Sequence, residues 1–236
     1  ALMSRHQEAF VENRFSIGAQ LGREKSARLN YHALVELRNT GKAWGEFNVE
    51  GDAALSIPFQ RDSLHLRLEG FVRRELPNFD FRRYQSRKAA WDNSVSQQFS
   101  TMVGGSLRYR NSLASFYLMN VQNYTYFAEL LKTSANALPL VGVEVRQKSG
   151  GIQLMAASLL HDFTAGIFHW DNRLTFQVSS DQAIYPLPML NLWTNLYIQF
   201  RIARVLRTEL GVDMTFFTKY KAPTYSPLIG NFAVQD

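Results

Sequence analysis

Three side chains that could perform acid–base chemistry, His169, Asp171 and Arg173, fall on the same face of one predicted strand. A nucleophilic or water-activating site needs a base that a third group orients at hydrogen-bonding distance. Neighbours two residues apart on a strand are separated by about 7 Å along the backbone, so only their long side chains can bridge the gap. We therefore expect these residues to belong to a network of salt bridges, and we expect no enzymatic activity.

Metal binding and nucleic-acid binding are the other chemistries that such side chains could support. His32, His65 and Glu36 are the candidate metal ligands, but their spacing matches no metal-binding motif, so we expect no metal and no cofactor. A basic, aromatic segment at 79–91 would fit a nucleic-acid patch, a loop folded into a pore or a loop facing anionic lipopolysaccharide. Its basic side chains are Arg82, Arg83, Arg87 and Lys88. Because nothing else in the sequence resembles a nucleic-acid module, we expect no nucleic-acid partner.

The composition excludes several classes of protein. The 236 residues include no cysteine, which rules out disulfide scaffolds, thiol nucleophiles and cysteine metal sites. No stretch of apolar residues is long enough for a transmembrane helix. With 46% hydrophobic and 13% aromatic residues, the chain is neither collagen-like nor disordered. The 26 Lys and Arg residues against 20 Asp and Glu residues fit a nucleic-acid binder, a membrane-surface protein or a pore lined with cations.

Alternation of apolar and polar residues with a period of two is the dominant pattern, and it predicts β-strands along the whole chain. In residues 27–38, for example, Leu29 and Tyr31 fall on one face while Arg28 and Asn30 fall on the other. The pattern predicts about eleven or twelve strands, each about ten or more residues long. The predicted strands include 15–21, 27–38, 43–59, 64–73, 99–109, 113–126, 141–145, 152–163, 168–178, 190–202 and 206–219.

Short polar segments rich in glycine, asparagine and aspartate predict the hairpin turns. They lie at 22–25, 39–41, 61–63, 111–112 and 149–151. Three longer connections are predicted at 74–95, 127–139 and 221–231, and good helix formers at 129–132 predict a helical turn in the second. The predicted long connections do not alternate strictly with the short ones, so they do not assign the two ends of the sheet to two sides of a membrane.

Two architectures fit this alternation. In a soluble sandwich the apolar face packs against a second sheet, whereas in a membrane barrel it meets lipid and the polar face lines the interior. Residues 43–59 would form a strand about 55 Å long, well beyond the length usual in globular sheets. A sheet of about a dozen such strands must curl, split or close, and in a bilayer only closure leaves no unpaired backbone edge. Strand length therefore favours an antiparallel transmembrane β-barrel over a soluble all-β domain.

The C-terminal third carries residues that are similar to those of a known family. The segments are Tyr-Pro-Leu-Pro at 185–188, Gly-Val-Asp-Met-Thr-Phe-Phe-Thr-Lys-Tyr at 211–220, Ala-Pro-Thr-Tyr-Ser-Pro at 222–227 and Gly-Asn-Phe-Ala-Val-Gln at 230–235. They resemble the Putative porin family of Bacteroidota outer membranes, and residues 12–15 weakly resemble an upstream strand of that family. The resemblance implies an outer-membrane β-barrel that acts as a diffusion channel without catalytic residues. Family members continue for several more strands, so it also implies that the sequence is a fragment of a longer barrel.

These observations together predict one β-barrel domain over residues 1–236, with about 12 or more strands in the complete barrel. The expected function is that of a porin-like channel in the outer membrane of a Gram-negative bacterium, through which small hydrophilic solutes diffuse passively. The expected partners are membrane lipid, lipopolysaccharide, these solutes and other envelope protein subunits. The alternatives are a plugged barrel that serves as an accessory subunit of an envelope complex such as a secretion machine, and a soluble all-β binding domain.

Charged residues are the predicted lining of the pore. There they would set the electric field that selects among ions and charged solutes. The predicted lining residues are Arg14, Arg28, Glu46, Glu50, Arg67, Arg73, Arg173, Arg201, Arg207, Glu209, Asp213 and Lys219.

Overall fold

The computed structural model describes residues 12–38, 41, 44–86, 89–132 and 140–235, and strands dominate it. The long strands are β1 (Ser16–Arg23), β2 (Leu29–Arg38), β3 (Glu46–Phe59), β4 (Asp62–Glu75), β7 (Gln98–Tyr109), β8 (Ser112–Lys132), β9 (Leu140–Ala165), β10 (Phe168–Ser179), β11 (Leu190–Ile202) and β12 (Leu206–Phe217). The short elements are α1 (Phe79–Arg82), β5 (Arg83–Gln85), β6 (Ala90–Asp92), β13 (Thr224–Ser226) and β14 (Asn231–Ala233). Within the described ranges, no helix is both long and apolar enough to cross a membrane.

The long strands form one sheet of 10 strands in the order β1-β2-β3-β4-β7-β8-β9-β10-β11-β12. Every ladder in it is antiparallel, so the predicted all-β antiparallel fold is confirmed. The strand number is lower than predicted, because the predicted strands 141–145 and 152–163 are two parts of β9. In the part of the chain that the structure describes, β1 and β12 are the edges and do not pair with each other.

The predicted turn at 149–151 is wrong, because this segment lies inside β9. The register of the β8–β9 ladder shifts here: Gln122 pairs with Gly151, whereas Tyr124 pairs with Lys148. β9 therefore has one residue more than β8 across this interval, which is a β-bulge. Glycine inside a strand often marks such a bulge, and β9 continues through its two glycines.

The predicted helical turn at 129–132 is also wrong, because these residues continue β8. Glu129 pairs with Val143 and Leu130 pairs with Gly142. The ladder with β9 supplies the backbone hydrogen bonds along this stretch, and it overrides a helix propensity that is worth only a fraction of a kcal/mol per residue. Residues 133–139, the rest of the predicted connection, lie outside the described residues.

Short and long connections alternate strictly along the chain, contrary to the sequence-based expectation. The segments 24–28, 60–61, 110–111, 166–167 and 203–205 join strands at one end of the sheet, which we call the tight-turn end. At the opposite end, the long-connection end, seven or more residues of sequence separate β2 from β3, β4 from β7, β8 from β9 and β10 from β11. Arg110 and Gly166 have φ values of 51° and 62°, as two-residue hairpin turns require. The alternation was hidden because the turns at 166–167 and 203–205 were not predicted and the turn at 149–151 does not exist.

The short elements pack together on the far half of β8 and form what we call the cap: α1, the β5–β6 hairpin and the β13–β14 hairpin. Phe127 of β8 lies at its centre. The Phe127 ring stacks on Phe81, with ring centres 4.5 Å apart, and its centre lies 6.0 Å from that of Trp91. The backbone N–H of Val234, directly after β14, donates to the Phe127 carbonyl at 2.7 Å. The cap thus covers the part of β8 beyond Gln122, where the pairing of β8 with β7 ends.

The described residues contain only a small hydrophobic core, because no second layer covers the sheet. The buried hydrophobic side chains are Val121, Phe127, Ala128, Ile152 and Ala233. They lie in the cap and in the adjoining parts of β8 and β9. Burial is therefore concentrated towards the long-connection end.

The basic, aromatic segment forms part of the cap and is not an exposed patch where the structure describes it. Only 6% of the Arg82 surface is exposed. Its Nε donates to the Pro77 carbonyl at 3.0 Å, and its guanidinium also donates to the Glu12 carboxylate at 2.7 Å. A buried charge needs such partners, so Arg82 anchors the cap. Arg87 and Lys88 lie outside the described residues.

Asp181 links the connection between β10 and β11 to the sheet through hydrogen bonds. Lys148 of β9 donates a hydrogen bond to the Asp181 carboxylate at 2.9 Å, and the backbone N–H of Ile184 donates another at 3.2 Å. The hydrogen bond from Lys148 holds the pKa of the Asp181 carboxyl below its ordinary value of 3.8.

We expect this connection to loosen in acid. Because the pKa of Asp181 is lower in the folded state than in the unfolded state, its stabilising contribution is present above pH 3.8 and is lost as the pH falls through the folded-state pKa. Amide hydrogen exchange at Ile184, corrected for the intrinsic effect of pH, should accelerate in this range. Asp181→Asn should accelerate exchange at neutral pH and remove the pH dependence, whereas Asp62→Asn should leave Ile184 unchanged. A rate at Ile184 that is independent of pH in the unmodified protein would contradict this prediction.

Candidate functional site

The register divides the sheet into two faces. Residues that pair directly across an antiparallel ladder lie on the same face, so rows of partners can be followed from strand to strand. One row runs through Asn48, Arg73 and Ser100, and we call its side of the sheet the polar face. The adjacent row runs through Val49 and Val72, and we call its side the apolar face.

Most of the predicted lining residues share the polar face. The register places on it Glu46, Glu50, Arg67, Arg73, Arg173, Arg201, Arg207, Glu209 and Asp213. The other three lie outside the strands: Arg14 precedes β1, Arg28 lies between β1 and β2, and Lys219 follows β12. The alternation identified the common face because it is a property of each strand's backbone.

The polar face of β3 and β4 is a network of ion pairs. The Arg73 guanidinium lies 3.7 Å from the Glu50 carboxylate. Arg67 lies between two carboxylates, 3.6 Å from that of Asp52 and 3.3 Å from that of Glu69. Pairs between partly exposed side chains contribute little stability individually. Their effect on the site is that positive and negative charges are interleaved along this part of the polar face.

A tyrosine extends this network by lying across a glycine. Tyr117 pairs with Gly104, which in turn pairs with Glu69. The Tyr117 hydroxyl donates to the Glu69 carboxylate at 2.7 Å. A Cβ at position 104 would collide with the Tyr117 ring, so glycine provides the space in which this ring lies flat on the polar face.

We expect Gly104→Ala to destabilise the protein by about 1–3 kcal/mol, because the new methyl group must displace the Tyr117 ring. The loss should be smaller when Tyr117→Ala is also present, and urea unfolding in detergent micelles measures both. Gly70→Ala is the matched control, since a Cβ there would meet a backbone carbonyl at 2.9 Å and no ring. If Gly104→Ala lowers the free energy of unfolding equally with and without Tyr117→Ala, the glycine does not serve to accommodate the Tyr117 ring.

The polar face of β10, β11 and β12 also pairs a tyrosine with a glycine. Tyr197 pairs with Gly211, where a Cβ would collide with the tyrosine. The His169 ring stacks on the Tyr197 ring with centres 4.7 Å apart. A cavity of about 340 Å³ opens here, and its other lining residues are Asp171, Asn195, Glu209 and Asp213.

His169, Asp171 and Arg173 share the polar face, as predicted, but they do not form the predicted network. Among the described residues, no hydrogen bond or ion pair joins any two of the three. The reason lies in their cross-strand neighbours: Arg173 pairs with Leu160 and Trp193, which carry no charge. The ion pairs of the polar face instead include those on β3 and β4 and the pair of Arg207 with Glu209 on β12, at 3.2 Å.

Sequence reasoning missed two serine–histidine contacts. Ser56 Oγ lies 2.9 Å from His65 Nδ1, and Ser112 Oγ lies 2.8 Å from His161 Nδ1. No carboxylate within the described part of the chain forms a hydrogen bond with either ring, so the third group of an activated nucleophile is missing there. Each serine pairs with its histidine across a ladder, and only the register could have revealed the contact.

Of the two contacts, Ser112–His161 lies on the apolar face at the tight-turn end. Four polar-face residues are also absent from the predicted lining, and they fall into two groups. The alternation already places Asp52 and Glu69 on the same face as the predicted lining residues, although the predicted lining does not include them. No local pattern indicated Tyr117 and Tyr197, because each pairs with a glycine that only the register identifies.

The comparison with protein families agrees with the resemblance seen in the C-terminal residues and extends it. The model of the family described as "Putative porin" matches residues 3–236. No curated protein and no solved structure matches the chain. The family match covers all ten strands of the sheet as well as the cap, and on this basis the chain belongs to the Putative porin family.

Proposed function

We propose that the protein is a porin-like channel of the Gram-negative outer membrane, through which small hydrophilic solutes diffuse passively along the polar face. The observation that carries this proposal is the position of the exposed hydrophobic side chains. In the described strands of the large sheet, every exposed large hydrophobic side chain except Phe217 lies on the apolar face. Soluble monomers rarely expose apolar patches beyond a few hundred Å². A lipid environment accounts for a whole face of this kind.

Closure of the sheet follows from the same proposal. The edge strands β1 and β12 have unpaired backbone groups on one side, which is costly in the hydrocarbon region of a bilayer. β1 and β12 run in opposite directions, so the two edges are compatible with antiparallel closure, either on each other or through further strands. We therefore propose that the ten strands belong to a closed barrel in the membrane.

The alternation of connections supports one orientation. Barrels of this class have short periplasmic turns and longer extracellular loops. The tight-turn end, with segments such as 60–61 and 110–111, would then face the periplasm. The cap and the long-connection end would face outward, towards lipopolysaccharide.

The polar face would form the wall of a water-filled lumen. Apart from Glu46, which is buried, the predicted lining residues on this face, together with Asp52, Glu69, Asp171, Tyr117 and Tyr197, would set its charge and its width. The partners of the protein in this proposal are lipid on the apolar face, lipopolysaccharide at the outer end and hydrophilic solutes in the lumen.

Reconstitution into planar lipid bilayers tests the channel. The folded protein should produce steps of steady conductance that increase with the KCl concentration. Absence of steady conductance from folded, inserted protein would contradict an open channel. Protein that remains monodisperse in buffer without detergent would contradict the membrane location itself.

The cap favours a second candidate function, that of a plugged barrel in a larger envelope complex. Cap elements pack around Phe127 at one end of the sheet and could close the lumen there. A plugged barrel would show no steady conductance until the cap is loosened, for example by Trp91→Ala. Purification in mild detergent would then retain other envelope subunits with the protein.

A further inference from the structure

A cavity lined by aromatic rings lies beside the cap at the long-connection end. Its volume is about 380 Å³. Four of its six aromatic rings come from separate parts of the chain: Tyr124 and Tyr126 from β8, Tyr185 from the β10–β11 connection and Phe232 from β14. Among the described residues that line it, none is charged. The cavity therefore combines flat apolar surfaces with neutral polar groups.

The three tyrosines form two walls. The rings of Tyr124 and Tyr126 are almost parallel, at 9°, with centres 6.0 Å apart. The Tyr185 ring is tilted by 60° to that of Tyr124, with centres 5.3 Å apart. Rings held at such an angle can contact one ligand from two sides.

The hydroxyl groups of these tyrosines are available to a ligand. The hydroxyl group of a buried tyrosine usually forms a hydrogen bond with another group of the protein. Elsewhere in the molecule, Tyr84 donates to the Leu228 carbonyl at 2.9 Å. Within the described ranges, the hydroxyls of Tyr124, Tyr126 and Tyr185 form no hydrogen bond with the protein. Asn231, another lining residue, accepts the N–H of Phe232 through its Oδ1, which leaves its amide group as a donor.

We propose that this cavity binds a neutral oligosaccharide. A sugar ring has apolar C–H faces that pack against aromatic rings, and a rim of hydroxyl groups that exchange hydrogen bonds with tyrosine hydroxyls and an amide. A charged ligand would need an opposite charge in the site. The nearby charges of Lys148 and Asp181 are already paired with each other at 2.9 Å.

The position of the cavity connects it with transport. This inference rests on the proposed channel function only for its orientation, in which hydrophilic solutes arriving from outside meet the long-connection end first. Sugar binding in the purified protein does not require an open lumen. Binding and conductance are therefore measured separately, and either can fail while the other succeeds.

Calorimetric titration of the full chain in a detergent without a sugar head group, lauryldimethylamine oxide, tests the proposal. The probes are maltotriose, cellotriose, xylotriose, mannotriose and chitotriose. At least one should bind with a Kd of about 1 mM or below. Tetramethylammonium, the probe for a cage that binds cations through aromatic faces, should not bind. Binding of this cation instead of any sugar, or no binding of the five sugars at about 10 mM, would overturn the proposal.

Substitutions test whether the sugar binds in this cavity. Tyr126→Ala and Tyr185→Ala should each weaken the affinity about tenfold, because each removes a ring that packs on the sugar. Tyr126→Phe should weaken it about threefold, since only a hydrogen bond is lost. Tyr109→Ala, at the tight-turn end, is the matched control and should bind as the unmodified protein does. The shift of electrophoretic mobility on heating verifies that each variant is folded. Folded Tyr126→Ala and Tyr185→Ala that retain full affinity would also overturn the proposal.

Discussion

Leu174→Arg should destabilise the protein in a lipid bilayer by about 2–4 kcal/mol, whereas Thr175→Arg, one residue further along β10, should cost less than about 1 kcal/mol. Leu174 lies near the middle of β10 on the apolar face and pairs with Leu159 and Leu192. An arginine there must enter the hydrocarbon region or distort the bilayer. Thr175 lies on the polar face, where an added arginine would remain in water. Urea unfolding of both variants in phospholipid vesicles, followed by tryptophan fluorescence, measures the difference.

This pair of variants separates the membrane barrel from a soluble all-β domain. No second layer covers the sheet in the described residues, and Leu174 is exposed. If this uncovered sheet were soluble, the Leu174 side chain would be in contact with water, and arginine would be tolerated there at least as well as leucine. Equal costs for Leu174→Arg and Thr175→Arg would therefore contradict a lipid-facing apolar face. Because the two positions are adjacent on one strand, strand propensity and distance from the turns are nearly the same for both.

Reversing the charge of Arg67 or Arg173 should move the selectivity of the channel towards cations. Each change to glutamate alters the charge on the polar face by two units. In water two unit charges about 10 Å apart, screened by salt, interact by about 0.15 kcal/mol. The two-unit change acts with opposite sign on cations and anions, so the cation-to-anion permeability ratio should rise about threefold. Reversal potentials in planar bilayers under a KCl gradient measure this ratio. Arg67→Lys and Arg173→Lys, which keep the charge, should leave it unchanged.

The two reversals should differ in their effect on stability. Arg67→Glu places three carboxylates together, because Asp52 and Glu69 flank this position at 3.6 and 3.3 Å in the unmodified protein. Arg173→Glu leaves no new carboxylate contact with its cross-strand partners Leu160 and Trp193. We therefore expect a lower unfolding midpoint for Arg67→Glu alone. Unchanged reversal potentials for both folded variants would show that the polar face does not line the conducting path.

The local sequence predicted the structure correctly where the pattern within one strand is sufficient. In β2, the alternation of Leu29 and Tyr31 with Asn30 predicted both the strand and its two faces. It failed where a distant segment decides the conformation. Residues 129–132 have helix-forming side chains but continue β8, because β9 pairs with them. Gly150 and Gly151 resemble a turn but belong to a bulge, because β8 continues opposite them.

In the cap, the local sequence likewise could not predict the environment of a charged residue. Arg82 looked like part of an exposed basic segment, and only its contacts with Pro77 and Glu12 show that it is buried. The aromatic cavity brings together Tyr126 and Tyr185, which are far apart in the sequence. No periodicity within either segment could indicate that they share a site.

The sequence by itself determined that the chain forms long strands in one antiparallel system, and which side chains of each strand share a face. Both follow from the two-residue period of the β backbone, which is a local property. The tertiary structure alone decided which residues meet: Arg67 with Asp52 and Glu69, and Tyr117 with the space above Gly104. These contacts depend on the register between strands. Register results from long-range pairing of whole strands, which the order of residues within any one strand does not reveal.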